Sequence, residues 1–390
     1  MRAMLPSPLH PGRPLTIGIL GGGQLAKMLA LAAYRMGLQV AILEHGEGSP
    51  AGVMTKLEFP GGWSSRADLE AFARASDIIT LENEFVPPEL LRELSQWRPV
   101  YPTPETVALV RDKLTQKQHL ARAGIPVAEF QEVTSPVEAG QFAQRVGFPI
   151  LLKTRLFGYD GYGNRTVETP EALEGAWVEL RQRTPGQSLL AERWIPLLKE
   201  LAVMVARNRR GELAVYPCVE TVQQDHVCRI VYAPAPIEEA LRRRAQELAV
   251  AAVEAIEGIG IFGVELFLSQ DGQLYINELA PRPHNTGHYT IEACYTSQFE
   301  NALRAVCNLP LGSPEMYVPA AVMINLLGVR SGSGFPDDVE PALQAGPAWI
   351  HFYGKRESRP RRKLGHVTAV GATLEEAYER ARAVAEGILW

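Results

Sequence analysis

One hairpin constrains this chain more than any other feature. Residues 262–278 contain two apolar runs on either side of Asp271-Gly272, a pair preferred in two-residue hairpin turns. Counting outward from that turn places Glu265 opposite Glu278. Cross-strand partners share one face of a sheet, with Cβ atoms about 4.5–5.5 Å apart. The pattern therefore predicts two carboxylates held side by side.

The same register pairs Gln270 with Gln273 beside the turn. Two carboxylates at this spacing repel each other, and a divalent cation relieves the repulsion. Ligands that are all oxygen suit Mg²⁺. We therefore interpret the hairpin as a metal platform for a nucleoside triphosphate. The alternative is a pair of solvated glutamates on an exposed sheet face.

Composition excludes several classes of protein. The chain has 390 residues, enough for two or three domains, and its 46% hydrophobic and 21% charged residues are typical of a soluble globular protein. A net charge of −5 gives no indication of a nucleic-acid or membrane partner, and no apolar stretch reaches membrane-spanning length. The four cysteines form no C-x-x-C pair, which argues against a disulfide framework and indicates a reducing cytoplasm.

Strands and helices alternate over the first hundred residues or so, which is typical of an open parallel sheet. The predicted elements are strands 16–20, 39–43 and 78–81, and helices 24–36, 67–75 and one after Pro87-Pro88. The remaining chain predicts a charged amphipathic helix over 106–123, a smaller α+β unit, a larger α+β section that ends near 309, and a β-rich end with a final helix over 374–388.

A glycine-rich turn joins the first strand to the first helix. Gly21-Gly22-Gly23, with Ala26 and Glu44, satisfies the dinucleotide fingerprint G-x-G-x-x-A. Nothing downstream indicates hydride chemistry. Backbone N–H groups at a helix start form an anion site, so a phosphate of any small substrate would fit there.

A second glycine-rich loop follows Lys153 at the end of a strand and contains Gly158, Gly161 and Gly163. Glycines let backbone amides approach phosphate oxygens, and the lysine adds a point charge. The loop lacks the G-K-[ST] ending of a Walker A loop. We interpret it as a flexible lid over a triphosphate. An ordinary long hairpin loop is the alternative.

Two further segments carry polar groups suited to a nucleotide site. Residues 192–196 combine an acid, an apolar residue and a proline, which suits a hinge that binds an adenine edge, although these residues alone favour a plain surface linker. On the loop after the hairpin, Arg282 offers a bidentate fork beside His284 and Asn285, which suits a small planar oxyanion. A capping loop whose histidine packs passively is the alternative.

A short basic run over 355–363 lies near the C-terminus. Such a run is usually a solvated face or a patch for polyanions. Because this run is interrupted and the chain is acidic overall, we expect it to bind one phosphate monoester rather than a nucleic acid.

Together these residues resemble the ATP-grasp superfamily, and within it the ATP-dependent carboxylases of purine biosynthesis. The resemblance runs from Ile17 to about Val370. Its markers are Gly21–Leu25, Leu81–Phe85, Gly158–Gly161, Asn277–His288, Tyr353–Lys355 and Arg362–His366.

The resemblance implies an ATP-grasp fold of mixed α/β and α+β class, with an N-terminal Rossmann-like parallel sheet and a small C-terminal β-rich domain. The expected domains are 1–110, 111–310 with a lid subdomain near 120–190, and 311–390. It also implies Mg²⁺ or Mn²⁺, ATP as co-substrate and a cytoplasmic homodimer without nucleic-acid or membrane partners.

Roles for individual residues are implied in the same way. Nucleotide contacts are expected from Arg111, Lys153, Gly158, Tyr159, Asp160, Gly161, Gly163, Glu192, Arg193, Trp194, Ile195, Glu200, His226, Asn277 and Glu278, and metal contacts from Glu265 and Glu278. Substrate contacts to aminoimidazole ribonucleotide are expected from Gln24, Glu82, Asn83, Tyr159, Asp160, Lys355, Arg362 and Lys363. Catalytic roles are expected for Arg282, His284 and Asn285, which would hold bicarbonate, and for Asp160 and Lys355.

A few positions depart from the family pattern. The lid of the family usually reads G-Y-D-G-K-G-Q, whereas this chain has Tyr162 and Asn164 in place of the lysine and glutamine. Arg361 stands where a glycine is common, and Ala26-Lys27 replaces a usual Gly-Arg.

The implied reaction joins bicarbonate to the γ-phosphoryl group of ATP and then carboxylates the exocyclic amine of aminoimidazole ribonucleotide. Asp160 and Tyr159 are the candidates to manage the amine proton. The nearest competing function is that of a sister ATP-grasp enzyme that formylates or ligates glycinamide ribonucleotide. A nicotinamide oxidoreductase and a non-catalytic nucleotide-binding regulator are more distant candidates.

Overall fold

The computed structural model describes residues 13–156, 163–225 and 227–390. Its N-terminal part contains β1 (Thr16–Leu20), α1 (Gln24–Arg35), β2 (Gln39–Leu43), β3 (Glu58–Phe59), α2 (Arg66–Ala75), β4 (Ile78–Leu81) and α3 (Pro88–Ser95). The four strands pair in parallel in the order β3-β2-β1-β4. Every residue of β1 is buried, as expected of a parallel strand covered on both faces. The predicted N-terminal parallel sheet is confirmed.

Two helices, α4 (Pro104–Arg111) and α5 (Lys113–Arg122), lead into the central part of the chain. Asp112 lies between them with extended backbone, and its carboxylate accepts hydrogen bonds from two N–H groups at the start of α5. The prediction of one continuous helix over 106–123 is therefore wrong. Asp112 interrupts the helix, but as a charged residue it fits the charged pattern on which the prediction was based. The interruption places Lys113 in the first turn of α5.

A small antiparallel sheet with two helices follows. Its elements are β5 (Phe130–Val133), α6 (Pro136–Val146), β6 (Ile150–Thr154), β7 (Asn164–Val167), α7 (Leu173–Arg183) and β8 (Leu189–Arg193). The strands pair in the order β5-β8-β6-β7. Lys153 on β6 pairs in register with Leu190 on β8, two residues from Glu192, so the lysine and the glutamate lie diagonally across neighbouring strands.

A large sheet contains most of the remaining strands. The elements are β9 (Leu197–Arg207), β10 (Leu213–Val215), β11 (Val219–Gln224), β12 (Val227–Ala233), α8 (Glu239–Ala255), β13 (Gly260–Ser269), β14 (Leu274–Ala280), α9 (Thr290–Ala293), α10 (Gln298–Val306), β15 (Ala320–Leu327), β16 (Gly332–Ser333), α11 (Glu340–Gln344), β17 (Trp349–Phe352), β18 (Glu357–Ser358), β19 (Lys363–Gly371) and α12 (Leu374–Glu386). The sheet order is β14-β13-β9-β11-β12-β15-β19-β17, with β10 paired to β9.

The large sheet brings the C-terminal strands close to the hairpin. β12 pairs with β15 and β15 pairs with β19, so Lys363, the last residue of the basic run, belongs to the same sheet as the acidic hairpin. The architecture agrees with the predicted ATP-grasp fold class, which is confirmed. Because one sheet crosses residue 310, the division into 1–110, 111–310 and 311–390 stays a prediction. Among the described residues, no helix combines the length and apolar character needed to cross a lipid bilayer.

The hairpin of β13 and β14 pairs Glu265 with Glu278, as predicted. The two-residue turn is wrong, however. Ser269 rather than Gln270 faces Gln273, and the three-residue loop between them ends in Gly272 at φ +79°. β14 also contains a bulge. Asn277 is an extra residue between Ile276 and Glu278, which pair with Leu266 and Glu265. The extra turn residue and the bulge compensate each other, which restores the expected pair.

Candidate active site

Glu265 and Glu278 face a cavity of about 510 Å³ that Asn277 also lines. Asn277 is the extra residue of the bulge, and a bulge can re-aim a side chain, so two consecutive residues of β14 reach the same cavity. Asn277 Nδ2 donates a hydrogen bond to Glu265 Oε2 at 3.3 Å. The two glutamates keep 27% and 34% of their side-chain surface exposed, and they line a cavity rather than an open sheet face.

A neighbouring lysine, Lys113, makes the pKa values of the two glutamates differ. Burial raises the pKa of Glu265 to about 8, and the charges of Glu278 and Glu200 add to this effect. Burial also acts to raise the pKa of Glu278, but the charge and hydrogen bond of Lys113, together with the charges of Lys153 and Arg282, outweigh it and lower that pKa. Lys113 Nζ donates a hydrogen bond to Glu278 Oε2. At neutral pH the pair therefore holds one proton and one negative charge.

A third carboxylate, Glu192, lies deeper and is only 1% exposed. It accepts a hydrogen bond from Lys153 Nζ at 2.7 Å and lies 3.3 Å from Lys117 Nζ. Burial acts to raise the pKa of Glu192, but the two lysines outweigh it and lower that pKa. The interpretation of 192–196 as a surface linker is wrong for Glu192, because pairing with β6 carries β8 into the interior.

Most of the residues predicted to contact the nucleotide lie on this cavity. Those that line it are Lys153, Glu192, Arg193, Trp194, Ile195, Glu200, Asn277 and Glu278. Arg111, the last residue of α4, is not among the described residues that line it. Gly163 accepts a hydrogen bond through its carbonyl from the Thr154 N–H at 2.8 Å, and so closes the base of the glycine-rich loop. Outside the described residues lie Gly158, Tyr159, Asp160, Gly161, Tyr162 and His226.

The guanidinium group of Arg282 binds Glu84, a residue of the N-terminal part. Its Nε and Nη2 atoms donate hydrogen bonds to the two oxygens of Glu84 at 2.5 and 3.2 Å. Burial acts to lower the pKa of Arg282, but Glu84 raises it, so the guanidinium stays charged. The fork expected for a planar oxyanion is thus engaged by Glu84, and Arg282 ties the loop after β14 to the segment after β4.

His284 and Asn285 both line the cavity. His284 Nε2 lies 3.5 Å from Glu265 Oε1, and its Nδ1 lies 2.9 Å from Thr286 Oγ1. Burial lowers the pKa of His284 well below its usual range, so the ring is neutral. The Asn285 amide exchanges two hydrogen bonds with the Asn325 amide, at 2.9 and 2.6 Å. A neutral donor group and a fixed amide thus lie next to the acid pair.

The glycine-rich turn before α1 binds carboxylates of the chain itself. Glu82 accepts hydrogen bonds from the N–H groups of Gly23 at 2.6 Å and Ala26 at 2.9 Å. Glu44 accepts one from the Gly22 N–H at 2.8 Å. The interpretation of this turn as a dinucleotide or phosphate site is wrong, because the end of the neighbouring parallel strand delivers Glu82 to the helix start.

Gln24 and Asn83 lie beside this carboxylate. Gln24 is the first residue of α1 and is partly buried, and Asn83 follows Glu82 directly after β4. Asn83 Oδ1 accepts a hydrogen bond from the Phe85 N–H at 3.1 Å, which orders the segment. The three residues expected to contact the ribonucleotide substrate from the N-terminal part therefore form one cluster.

The predicted phosphate-binding residues near the C-terminus lie on either side of the start of β19. Lys355 Nζ donates a hydrogen bond to the Lys363 carbonyl oxygen at 2.8 Å, and Lys363 lines the cavity. The charge of Lys355 also acts on Glu82, opposing the effect of burial, which raises the pKa of that carboxyl. Arg362 donates from Nη1 to the Glu357 carbonyl oxygen at 2.8 Å. Lys355 thus links the cavity to the start of α1.

Arg361 has a left-handed backbone with φ +68°. An L side chain at such an angle brings its Cβ close to the following carbonyl oxygen, and glycine avoids this strain. The arginine that departs from the family glycine therefore adopts this backbone at a conformational cost.

The sequence patterns did not reveal several residues of the site. Lys113 and Lys117 fall in the charged pattern of one amphipathic helix, although their spacing of four residues places them on one side of α5. Asn325 falls in an apolar run that predicts a strand. A single amide within that apolar run was the available indication, because a buried amide requires hydrogen-bond partners.

Three family models match successive parts of the chain. A ribonucleotide synthetase preATP-grasp domain matches residues 15–111, an ATP-grasp domain matches 118–299, and a phosphoribosylaminoimidazole carboxylase C-terminal domain matches 321–380. Their order along the chain follows the N-terminal sheet, the two central sheets and the β-rich end.

Named relatives match nearly the whole chain in sequence. The chain is 40% identical to an N5-carboxyaminoimidazole ribonucleotide synthase of Synechococcus elongatus, over 94% of this chain and 92% of the relative. It is also 40% identical to the phosphoribosylaminoimidazole carboxylase of Ogataea methanolica, over 94% of this chain and 68% of the relative. The chain spans about two thirds of the length of such fungal relatives.

A solved structure extends the comparison to a ligand complex. N5-carboxyaminoimidazole synthase from Aspergillus clavatus, in complex with ADP and 5-aminoimidazole ribonucleotide, has a TM-score of 0.87 to this chain at 35% identity. The match covers 96% of this chain and 98% of that one.

Proposed function

Because this chain belongs to the N5-carboxyaminoimidazole ribonucleotide synthase family of ATP-grasp enzymes, we propose that it carboxylates 5-aminoimidazole ribonucleotide with ATP and bicarbonate. The products are N5-carboxyaminoimidazole ribonucleotide, ADP and phosphate. The sister activity on glycinamide ribonucleotide is not favoured, because the matched relatives carry the names of synthases and carboxylases of the aminoimidazole substrate.

One observation carries the proposal. A single cavity is lined by the buried Lys153–Glu192 pair, by the acid pair of the hairpin, and by Lys363 from the C-terminal part. A nucleotide whose base end lies near Glu192 would extend its phosphates toward the hairpin. The second substrate would then meet the terminal phosphate between the hairpin and Lys363.

Mg²⁺ fits the residues at the hairpin. Glu265 and Glu278 supply oxygen ligands only, and burial leaves Glu265 short of positive charge, as its raised pKa of about 8 indicates. We assign the ion to these two carboxylates, with Mn²⁺ as an alternative occupant of the same ligands. When bound, the ion supplies positive charge beside the transferred phosphoryl oxygens.

The reaction has two steps. A bicarbonate oxygen attacks the γ-phosphorus of ATP, the bond to the β–γ bridging oxygen breaks, and ADP leaves carboxyphosphate behind. The exocyclic amine then bonds to the carboxyl carbon, either directly or after carbon dioxide is released inside the closed site, and phosphate departs. Lys153 and Lys113 neutralise phosphoryl charge, and His284 and Asn285 orient the bicarbonate. Asp160 accepts the amine proton in this proposal, and Tyr159 is the second candidate for this role.

The ribonucleotide substrate lies between two clusters in this scheme. Lys355, Arg362 and Lys363 bind its phosphate monoester, since cationic side chains form the strongest hydrogen bonds to phosphate. Gln24, Glu82 and Asn83 surround its ring from the N-terminal side. Arg282 positions the loop through Glu84, and the adenine lies against the segment 193–195.

We further propose that the enzyme acts in the cytoplasm as a homodimer, and that its domains are 1–110, 111–310 and 311–390. The proposal on assembly rests on the family alone. Light scattering coupled to size-exclusion chromatography checks it, because a monomer of 42.9 kDa is readily distinguished from a dimer.

Phosphate release from ATP tests the proposed reaction. We expect release only when aminoimidazole ribonucleotide and bicarbonate are both present, and transfer of labelled carbon from bicarbonate to the amine. Glu278→Gln should abolish most of this rate, whereas a nucleotide-binding regulator would keep its ligand response. ATP cleavage that ignores both substrates, or that requires formate in place of bicarbonate, would contradict the proposal.

A further inference from the structure

A second cluster of ligating side chains lies apart from the cavity, between α9, β17 and β19. Glu292 belongs to α9, and His351 and His366 are register partners on the two strands. None of the three is among the described residues that line the large cavity. The proposed reaction does not use them, so the cluster requires an explanation of its own.

The geometry gathers three ligand atoms at one point. One carboxylate oxygen and one ring nitrogen from each histidine all lie within 4.8 Å of one another. Nε2 of His351 lies 2.6 Å from Oε1 of Glu292. The rings of His351 and His366 stack with centroids 4.4 Å apart and an angle of 11° between their planes. Cross-strand pairing holds the two imidazoles in this arrangement.

Two polar atoms of the cluster are buried and lack partners. Within the described part of the chain, neither Glu292 Oε2 nor His366 Nε2 has a hydrogen-bond partner. Glu292 is 6% exposed and His366 is completely buried. A buried polar atom without a partner costs about 1–3 kcal/mol, so such atoms in a native interior require an explanation, and a bound ion is one of the usual ones.

Neighbouring groups orient the ligands in the manner of a metal site. His366 Nδ1 lies 3.0 Å from the hydroxyl oxygen of Tyr353, which leaves Nε2 available on the opposite side of the ring. Metal-binding histidines usually engage their second nitrogen in such a bond. Burial also lowers the pKa of His366 well below its usual range, so the ring offers a lone pair. His288 faces the cluster as well, with its ring centroid 4.9 Å from that of His366.

We propose that Glu292, His351 and His366 bind a divalent transition-metal ion, with zinc as the best match. Two imidazoles and one carboxylate are a ligand set that Zn²⁺ accepts, whereas Mg²⁺ prefers oxygen ligands alone. The ion occupies the space between Glu292 and the two rings and replaces the Glu292–His351 hydrogen bond. One quarter of the His351 side chain is exposed, which provides an entry path.

The site has a structural consequence. An ion there joins α9, which follows the loop that contains His284 and Asn285, to β19, which begins with Lys363. The ion therefore fixes the position of Lys363 relative to this loop. The alternative is a cluster stabilised by hydrogen bonds alone, without an ion.

Cobalt provides the test, because Co²⁺ replaces Zn²⁺ and its visible absorption reports imidazole ligands. The full chain is freed of metal with a chelator and titrated with Co²⁺ in the presence of excess Mg²⁺ and ADP, which occupy the acid pair of the hairpin. We expect one equivalent of Co²⁺ to bind with new visible bands, Zn²⁺ to displace it, and Zn²⁺ to raise the melting temperature.

His351→Gln is the informative variant, because His351 is partly exposed and its replacement is least disruptive to folding. It should weaken Co²⁺ binding by at least about tenfold. His45→Gln is the matched control, since His45 lies in the N-terminal part against Trp63 and should leave binding unchanged. Absence of bound Co²⁺ in the wild-type chain, or equal binding by H351Q and the wild type, would overturn the proposal.

Discussion

The side-chain amides of Asn285 and Asn325 donate hydrogen bonds to each other's oxygen atoms, at 2.9 and 2.6 Å. Asn325 lies on β15, and its Nδ2 also donates to the carbonyl oxygen of Cys228 on β12. The pair therefore joins the loop after the acidic hairpin to two strands of the large sheet. The segment around Asn285 is thereby fixed in orientation at the point where it faces the cavity.

Replacement of Asn325 should uncouple this loop. Asn325→Ala leaves the buried amide of Asn285 without its partner, which costs about 1–3 kcal/mol of unfolding free energy. Because misplacement of a positioning group by about 1 Å can cost on the order of a hundredfold in rate, we expect kcat/KM for bicarbonate to fall by about ten- to a hundredfold. The KM for ATP should change little. Urea denaturation and phosphate release at varied bicarbonate measure the two effects.

Asn208→Ala is the control for this variant. Asn208 is fully buried and donates hydrogen bonds to Glu212 and to the Leu309 carbonyl oxygen, away from the cavity. It should lose similar stability without any change in the bicarbonate dependence. A kinetic defect of equal size in both variants would show that the loss in N325A reflects general destabilisation.

The acidic hairpin shows how far sequence reasoning reached. The Glu265–Glu278 pair was predicted correctly, but through a turn that is one residue too short and a strand without its bulge. Turn length and bulges depend on a balance of local energies that alternating residue patterns do not record. The parallel N-terminal sheet was easier, because apolar strands and amphipathic helices have distinct periods.

Residues that act through distant partners were harder to predict. The resemblance implies that Glu82 contacts substrate, but the sequence did not indicate that its carboxylate also accepts hydrogen bonds at the start of α1, where the parallel pairing of β1 with β4 places it. Lys117 belongs to a charged helical pattern, although the break at Asp112 turns it toward Glu192. Such contacts follow from tertiary packing, which overrides the local charge pattern.

The raised pKa of Glu265 predicts a pH-dependent stability. Its pKa of about 8 in the folded chain exceeds the ordinary value of 4.5, so between these two pH values the folded chain retains a proton that the unfolded chain has released. Stability is therefore lost as the pH rises through this window. Glu265→Gln removes the effect and should gain about 1–3 kcal/mol relative to the wild type between pH 5 and pH 8.

Urea denaturation at several pH values in metal-free buffer measures this difference. The expected gain is smaller than the full pKa change implies, because 27% of the side chain remains in contact with water. Glu247→Gln, at an exposed position on α8, serves as the control and should follow the wild type at each pH. Parallel pH profiles for E265Q and the wild type would argue against a protonated Glu265.

The buried contact between Lys117 and Glu192 predicts a large effect on stability. The two side chains are 3% and 1% exposed, so Lys117→Met leaves a buried carboxylate with Lys153 as its remaining lysine partner. Because Lys153 stays paired with Glu192, the expected loss is about 1–3 kcal/mol. Lys199→Met, in the more exposed pair with Glu220, should cost at most about 1 kcal/mol.

Urea unfolding compares the two lysine variants, and calorimetry measures their affinity for ADP. K117M should weaken ADP binding, because the orientation of Glu192 at the cavity depends on both lysines. Adding Glu192→Gln to K117M should lower the stability further, because Lys153 then loses its buried carboxylate partner. Equal losses in K117M and K199M would show that burial of the pair contributes little.

The left-handed backbone at Arg361 predicts a stabilising substitution. Its φ of +68° costs an L residue about 1–2 kcal/mol, whereas glycine adopts this angle freely. Glycine also gives the unfolded chain more conformational entropy, which lowers the unfolding free energy by about 0.5–1 kcal/mol. Arg361→Gly should therefore raise the unfolding free energy by about 0.5–1 kcal/mol in urea denaturation. Arg359→Gly, two residues earlier and without a positive φ, should lower it, and a loss of stability in both variants would contradict strain at Arg361.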